Sequence, residues 1–169
     1  MRAVSATRRH MELIDIGCNL THDSFDGDRE AVLQRAQEAG VVQMIVTGAS
    51  EDGSRAALKL ALSHPGTLFA TAGVHPHLAA DFSDASEQIL RELSSQEGVV
   101  AVGETGLDDF RDFSPRDVQR EVFRRQLEIG VDSGLQLFLH MRDAHSDFYA
   151  ILREVRDRLS DVVVHCFTG

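Results

Sequence analysis

The chain has 169 residues, of which 43% are hydrophobic and 26% charged, enough for one soluble domain with a sizeable core. No apolar run approaches the ~18 residues of a membrane-spanning helix. The formal charge of −10 argues against a sequence-independent polyanion binder, although bound cations would reverse the field locally. Residues 1–11 read as a basic, dispensable tail with no apolar stretch of a secretory signal, and residues 12–169 as the folded domain. Its predicted elements alternate regularly. Strand Leu13–Ile16 leads to a helix over Asp28–Ala39, and strand Val41–Val46 to a helix over Glu51–Leu62, with Ser50 as its N-cap. Strand Leu68–Ala72 precedes His75-Pro76-His77, and a helix over Asp84–Ser94 feeds strand Val99–Val102. Ser114-Pro115, with Ser as the cap, opens a helix reaching about Gly130. Strand Leu135–Leu139, a helix over Ala144–Leu159 and strand Val162–Val164 complete the series.

Short apolar strands separated by amphipathic helices imply a parallel sheet covered by helices. An open doubly wound sheet and a barrel both fit this pattern. An open sheet concentrates its site at one switch point, whereas here polar chemistry follows almost every strand, which favours the barrel. His75, His77, Glu104, His140 and His165 all sit where apolar runs end. Parallel strands place their carboxyl ends on one rim, so these side chains should converge there. Imidazoles with a carboxylate form a divalent-metal site. One such histidine is most often structural, bonded to a backbone carbonyl; His or Glu after four strands makes chance a poor explanation. Cys18 and Cys166, without a CxxC pair, suit a reducing cytoplasm. The single lysine, Lys59, leaves phosphate contacts to arginine.

Six segments in order carry a family resemblance. They are Asp15-Ile-Gly-Cys-Asn19-Leu20, Ala72-Gly-Val-His75-Pro-His77, Gly103-Glu104-Thr-Gly-Leu-Asp108, Phe113-Ser-Pro with Gln119 and Phe123-Arg-Arg-Gln126-Leu, His140-Met-Arg142-Asp143-Ala, and His165-Cys-Phe-Thr-Gly169. Together, over Leu13 to Gly169, they resemble the TatD family of metal-dependent deoxyribonucleases. The resemblance implies a TIM-barrel fold of the metal-dependent hydrolase superfamily and DNA as substrate. It implies one or two divalent cations (Mg2+, Mn2+ or Zn2+), with Glu104, His140 and His165 as ligands. It places His75 and His77 near the metals and the scissile phosphate. Asp108 is implied as a loop-orienting or supporting carboxylate, Arg142 with Asp143 as a supporting pair or an exposed ion pair, and Asn19 as a substrate-contacting or supporting residue.

Three departures qualify this expectation. Many relatives carry Asp-x-His-x-His after strand 1, where Gly17 and Asn19 stand here. The usual Gly-Leu-Asp-Phe-x-Arg reads Gly106-Leu-Asp108-Asp109-Phe110-Arg111, so the aromatic has moved one place. A complete barrel has eight units in ~250 residues. The sequence therefore reads as about six of eight strands, without the late aspartate expected to bind metal and act as base, and no catalytic residue is assigned. Unpaired edges on strands 1 and 6 then predict self-association or completion by another chain. Two other readings stay open: a C–N or ester-bond hydrolase of the same superfamily, and a non-catalytic fragment.

Overall fold

The computed structural model describes residues 11–168; the expected tail, apart from Met11, and Gly169 lie outside them. Six strands, β1 (Leu13–Cys18), β2 (Val41–Val46), β3 (Leu68–Ala72), β4 (Val99–Asp108), β5 (Gln136–Arg142) and β6 (Val162–Thr168), pair in parallel in the order of the sequence. Five α-helices connect them: α1 (Arg29–Glu38), α2 (Glu51–Ser63), α3 (Asp84–Ser94), α4 (Arg116–Ser133) and α5 (His145–Val155). Strand order never reverses, so every right-handed crossover leaves its helix on the same face. A doubly wound sheet reverses at its switch point; this one curls into an incomplete TIM-barrel-type α/β wall. None of the described helices is long and apolar enough to cross a membrane.

The main core lies between sheet and helices, where Leu90, Phe123, Leu127 and Ile151 pack on Val102, Leu137 and Leu139. The opposite, concave face encloses about 410 Å³ and is lined by Ile14, Ile16, Ile45, Phe69, Phe138 and Val163 among others. Among the described residues β1 pairs only with β2 and β6 only with β5. Ile14, Ile16 and Val163 are exposed accordingly.

Several boundaries differ from expectation. Strands β4, β5 and β6 run past their apolar cores, because the ladder continues through Gly106↔His140 and Asp108↔Arg142 on one side and His140↔His165 on the other. Backbone pairing is indifferent to the polarity of the side chain that rides on it. Ser50 caps α2 as expected, accepting from the Gly53 N–H at 3.0 Å. Ser114 does not cap α4: Pro115 occupies the N-cap and the Ser114 hydroxyl is used elsewhere. That helix also continues to Ser133, where Gly134 ends it with φ 69°. Helix α5 stops at Val155 and gives way to a 3₁₀ turn, Arg156–Arg158, and a second unforeseen turn, Pro76–Asp81, follows β3.

Candidate metal centre

Side chains alternate between the faces of a strand. On β5 the inward set is Gln136, Phe138, His140 and Arg142, and on β6 it includes Val163 and His165; the apolar members line the concave face and the polar ones its carboxyl mouth. Strand β4 reaches that mouth by an irregular path. Gly103 and Gly106 have φ values of 146° and 148°, and a Cβ on either would overlap the carbonyl oxygen of Phe138 or His140 respectively. Only glycine permits so close a pass beside β5. Glu104, between them, is set by a hydrogen bond from its N–H to the Gly48 carbonyl at 2.7 Å.

A pocket of about 300 Å³ results, lined by His75, Glu104, His140, Arg142 and His165, with Asn19 exposed at its edge. One oxygen, Glu104 Oε1, is approached by three rings: His165 Nε2 at 2.6 Å, His140 Nδ1 at 3.0 Å and His75 Nε2 at 3.4 Å. The Nδ1 of His75 accepts from the His77 backbone N–H at 3.1 Å, so its proton sits on Nε2 and faces Glu104. Burial alone would raise the Glu104 pKa, but hydrogen bonds from His140, His165 and His75 outweigh it and hold the carboxyl far below the ordinary range. Burial also pushes the His75 imidazole below its ordinary value, against the pull of Glu104. Ionised carboxylate and neutral imidazole are the forms that ligate a cation.

Asp108 anchors a second layer. It is fully buried; its Oδ2 lies 2.8 Å from His77 Nε2, 3.2 Å from His140 Nε2 and 3.8 Å from Arg142. Its Oδ1 accepts from the N–H groups of Phe110 and Arg111, at 3.1 and 2.9 Å. Burial opposes its ionisation, and the Arg111 N–H together with His77 overcomes that and lowers its pKa. His140 thus stands between two carboxylates, the orientation by an outer partner that metal-bound imidazoles need. The expected Arg142–Asp143 pair is absent: Asp143, at φ 54°, accepts from the Thr168 hydroxyl at 3.4 Å, while Arg142 turns to Asp108 and to Cys166, 3.7 Å away. β5 ends at Arg142, and the left-handed backbone of Asp143 just beyond it turns the carboxylate away from the guanidinium.

Four residues that the sequence reading named, without giving them a role in the site, support it. Gln126 of α4 grips both backbone groups of Val74, accepting from its N–H at 2.8 Å and donating to its carbonyl at 2.9 Å. Two turns earlier, Gln119 accepts from the Asp108 N–H at 2.9 Å. Ser114 donates to the His77 carbonyl at 2.9 Å. Cys166 also lines the pocket. The signal for the glutamines was available: two polar residues seven apart on the apolar face of a helix.

The donor set fits a divalent cation. One ligand atom each from His75, Glu104 and His140 lies within 4.8 Å of the others, as do those of His140, His165 and Cys166. Nitrogen–oxygen sets of this kind suit zinc and manganese. One-way β/α winding with a histidine–carboxylate cluster on the carboxyl rim defines the class: a barrel-type α/β protein with a candidate metal centre at its mouth. The profile of the TatD-related DNase family matches residues 14–169. The chain belongs to that family. It is 45% identical over 157 residues to the 3'-5' ssDNA/RNA exonuclease TatD of Musicola paradisiaca, and 46% identical to that of a Pantoea species, covering 93% of this chain and 60% of each relative. Among solved structures it resembles the TatD homologue YJJV of Escherichia coli, with TM-score 0.84 and 34% identity over 93% of this chain and 61% of that one. A TatD family hydrolase of Entamoeba histolytica matches with TM-score 0.82 and 29% identity, covering 95% and 60%. The chain therefore spans about 60% of the length of these curated relatives.

Proposed function

We propose that this chain carries the metal-binding part of a hydrolase that cleaves phosphodiester bonds in DNA from a strand end, with Glu104, His140 and His165 as ligands and His75 beside them. The convergence of three imidazoles on a single oxygen of Glu104 carries the proposal. A bound Mg2+, Mn2+ or Zn2+, one ion or two, supplies Lewis acidity toward a phosphoryl oxygen and acidifies a water. Asp108 orients His140 and His77, and Arg142 with Asn19 is placed to receive phosphate oxygens at the mouth of the pocket. The relatives named as single-strand DNA and RNA exonucleases support a single-stranded end as substrate. Two free cysteines support a reducing, cytoplasmic setting.

Turnover needs a base within reach of the attacking water. Both buried carboxylates at the mouth, Glu104 and Asp108, are already engaged by imidazoles. We read completion of the rim, by further polypeptide or by another chain covering the edges of β1 and β6, as the condition for full activity. Calorimetric titration with Mn2+ or Zn2+ tests the centre: the chain should bind, and a Glu104→Ala, His140→Ala double variant should not. In the completed protein, EDTA should stop nucleotide release from single-stranded DNA. Hydrolysis of a dihydropyrimidine or lactone panel, with DNA left intact, would assign the site to C–N or ester chemistry instead.

A further inference from the structure

The loop joining β4 to α4 presents two aromatic rings to water. Phe110 is 63% exposed and Phe113 64%, although the loop itself is firmly held. Asp108 accepts the N–H groups of Phe110 and Arg111, and Arg116 donates to Asp109 at 3.1 Å and to Asp112 at 2.7 Å. Ser114 ties the far end to the His77 carbonyl. Scattered exposed apolar residues are ordinary; two on one pinned loop beside a histidine cluster have no packing explanation. Phe113 packs against His77 in a T-shaped arrangement, with ring centroids 4.8 Å apart, and most of its surface stays open to solvent. Phe110 lies 5.8 Å from the guanidinium carbons of both Arg111 and Arg142. Arg142 lines the same pocket as Glu104, His140 and His165, and Arg111 makes no ion pair among the described residues. On a molecule of net charge −10, aromatic faces and cations are thus gathered at the pocket mouth.

Resting on the nuclease reading above, we propose that Phe110 and Phe113, flanked by Arg111 and Arg142, form a stacking platform for the bases of a single strand whose end enters the pocket. Every base has a π-face, so such a platform is tolerant of sequence, and the arginines meet the phosphates between stacked bases. A duplex keeps its base faces inside its own stack and offers the platform nothing. The loop is therefore a determinant of strand selectivity, separate from the metal ligands.

The test is binding of an oligonucleotide containing 2-aminopurine, followed by anisotropy and by quenching of the base, in EDTA so that no cation is required. The chain should bind the single strand, quench the probe, and bind the matching blunt duplex more weakly. Phe110→Ala and Phe113→Ala should each weaken single-strand binding by about tenfold or more and restore probe emission. Phe110→Tyr should retain both signals, and Leu62→Ala, at the opposite end of α2, should change neither. Unaltered affinity in the Phe110→Ala, Phe113→Ala double variant would overturn the platform, as would equal affinity for duplex or no single-strand binding by the parent chain. Calorimetry with Mn2+ on the double variant should give the parent's cation affinity; loss of cation binding would move these residues into the metal centre and overturn the proposal. Single-strand stacking without hydrolysis by the completed protein would instead leave the platform and remove the nuclease reading.

Discussion

Gln126→Ala isolates what holds His75 in place. The Gln126 side chain is fully buried, and its amide supplies both hydrogen-bond partners of Val74, the residue immediately before His75. Truncation leaves a buried N–H and a buried C=O without partners, at about 1–3 kcal/mol each. Recovered side-chain entropy, up to about 2 kcal/mol for glutamine, offsets part of that, and the lost packing adds to it. The net expectation is about 3 kcal/mol, a large fraction of the ~5–15 kcal/mol stability of a domain. With a urea slope of about 2 kcal/mol/M, the unfolding midpoint followed by circular dichroism should fall by ~1.5 M. Gln126→Leu keeps most of the volume and loses both hydrogen bonds, so it should fall nearly as far. Gln34→Ala, which removes one exposed contact to Glu38, should stay within about 0.5 kcal/mol of the parent. A Gln126→Leu variant as stable as the parent would refute the reasoning, because shape and not hydrogen bonding would then be what the site requires.

Three further outcomes follow from the same geometry. Gly106→Ala should prevent correct β4–β5 pairing and yield insoluble or unfolded protein, since the new Cβ meets the His140 carbonyl, whereas Gly27→Ala, with open space around it, should fold normally. In EDTA, thermal stability should fall on acidification. His75 has a lowered folded pKa, so the unfolded chain takes up its proton first as pH drops through about 6.5. The lowered Glu104 pKa acts in the same sense: its contribution is complete above about pH 4.3 and declines as pH falls toward the folded value. Melting curves at descending pH check this, and Glu104→Gln should flatten the more acidic limb. Finally, the 169-residue polypeptide should self-associate through its open apolar face in light scattering, and Ile16→Lys on β1 should reduce that; a monodisperse parent monomer would count against the proposed need for completion.

The fold was largely readable because its determinants are local and periodic. Apolar runs such as Val41–Val46 and Leu68–Ala72 match observed strands, and the amphipathic stretch Asp84–Ser94 matches α3. The convergence of Glu104, His140 and His165 followed from parallel topology, which needs only the order of elements. What escaped the sequence depends on contacts between distant residues. Gln126 and Val74 are 52 positions apart, so the helix pattern that flags the glutamine does not name its partner. Ser114 has a cap's chemistry, yet the His77 carbonyl competes for its hydroxyl. Arg142 and Asp143 are neighbours with opposite charge, but β5 ends between them and the left-handed bend at Asp143 turns them to different partners. The strand expected to end at Val102 runs on to Asp108, because Gly103 and Gly106 let β4 pass against β5.

On the first strand the missing donor at position 17 is tied to the packing around His165. Gly17 stands at the position that the Asp-x-His-x-His pattern fills with its first histidine, and a Cβ there would lie 2.9 Å from the ring of Phe138. That ring is buried and stacks on His165 at 4.7 Å, with an interplanar angle of 16°. The volume a histidine at position 17 would enter is thus taken by a side chain that fixes the plane of another candidate ligand. An imidazole stacked in this way loses rotational freedom, so its nitrogen is held toward Glu104 before any cation arrives. A side chain at position 17 would require the ring of Phe138 to shift, and with it the stacking that supports His165. Gly17 offers no donor on β1, so the weight of the centre falls on β4, β5 and β6, and Gly103 and Gly106 let the first two of these pass closely.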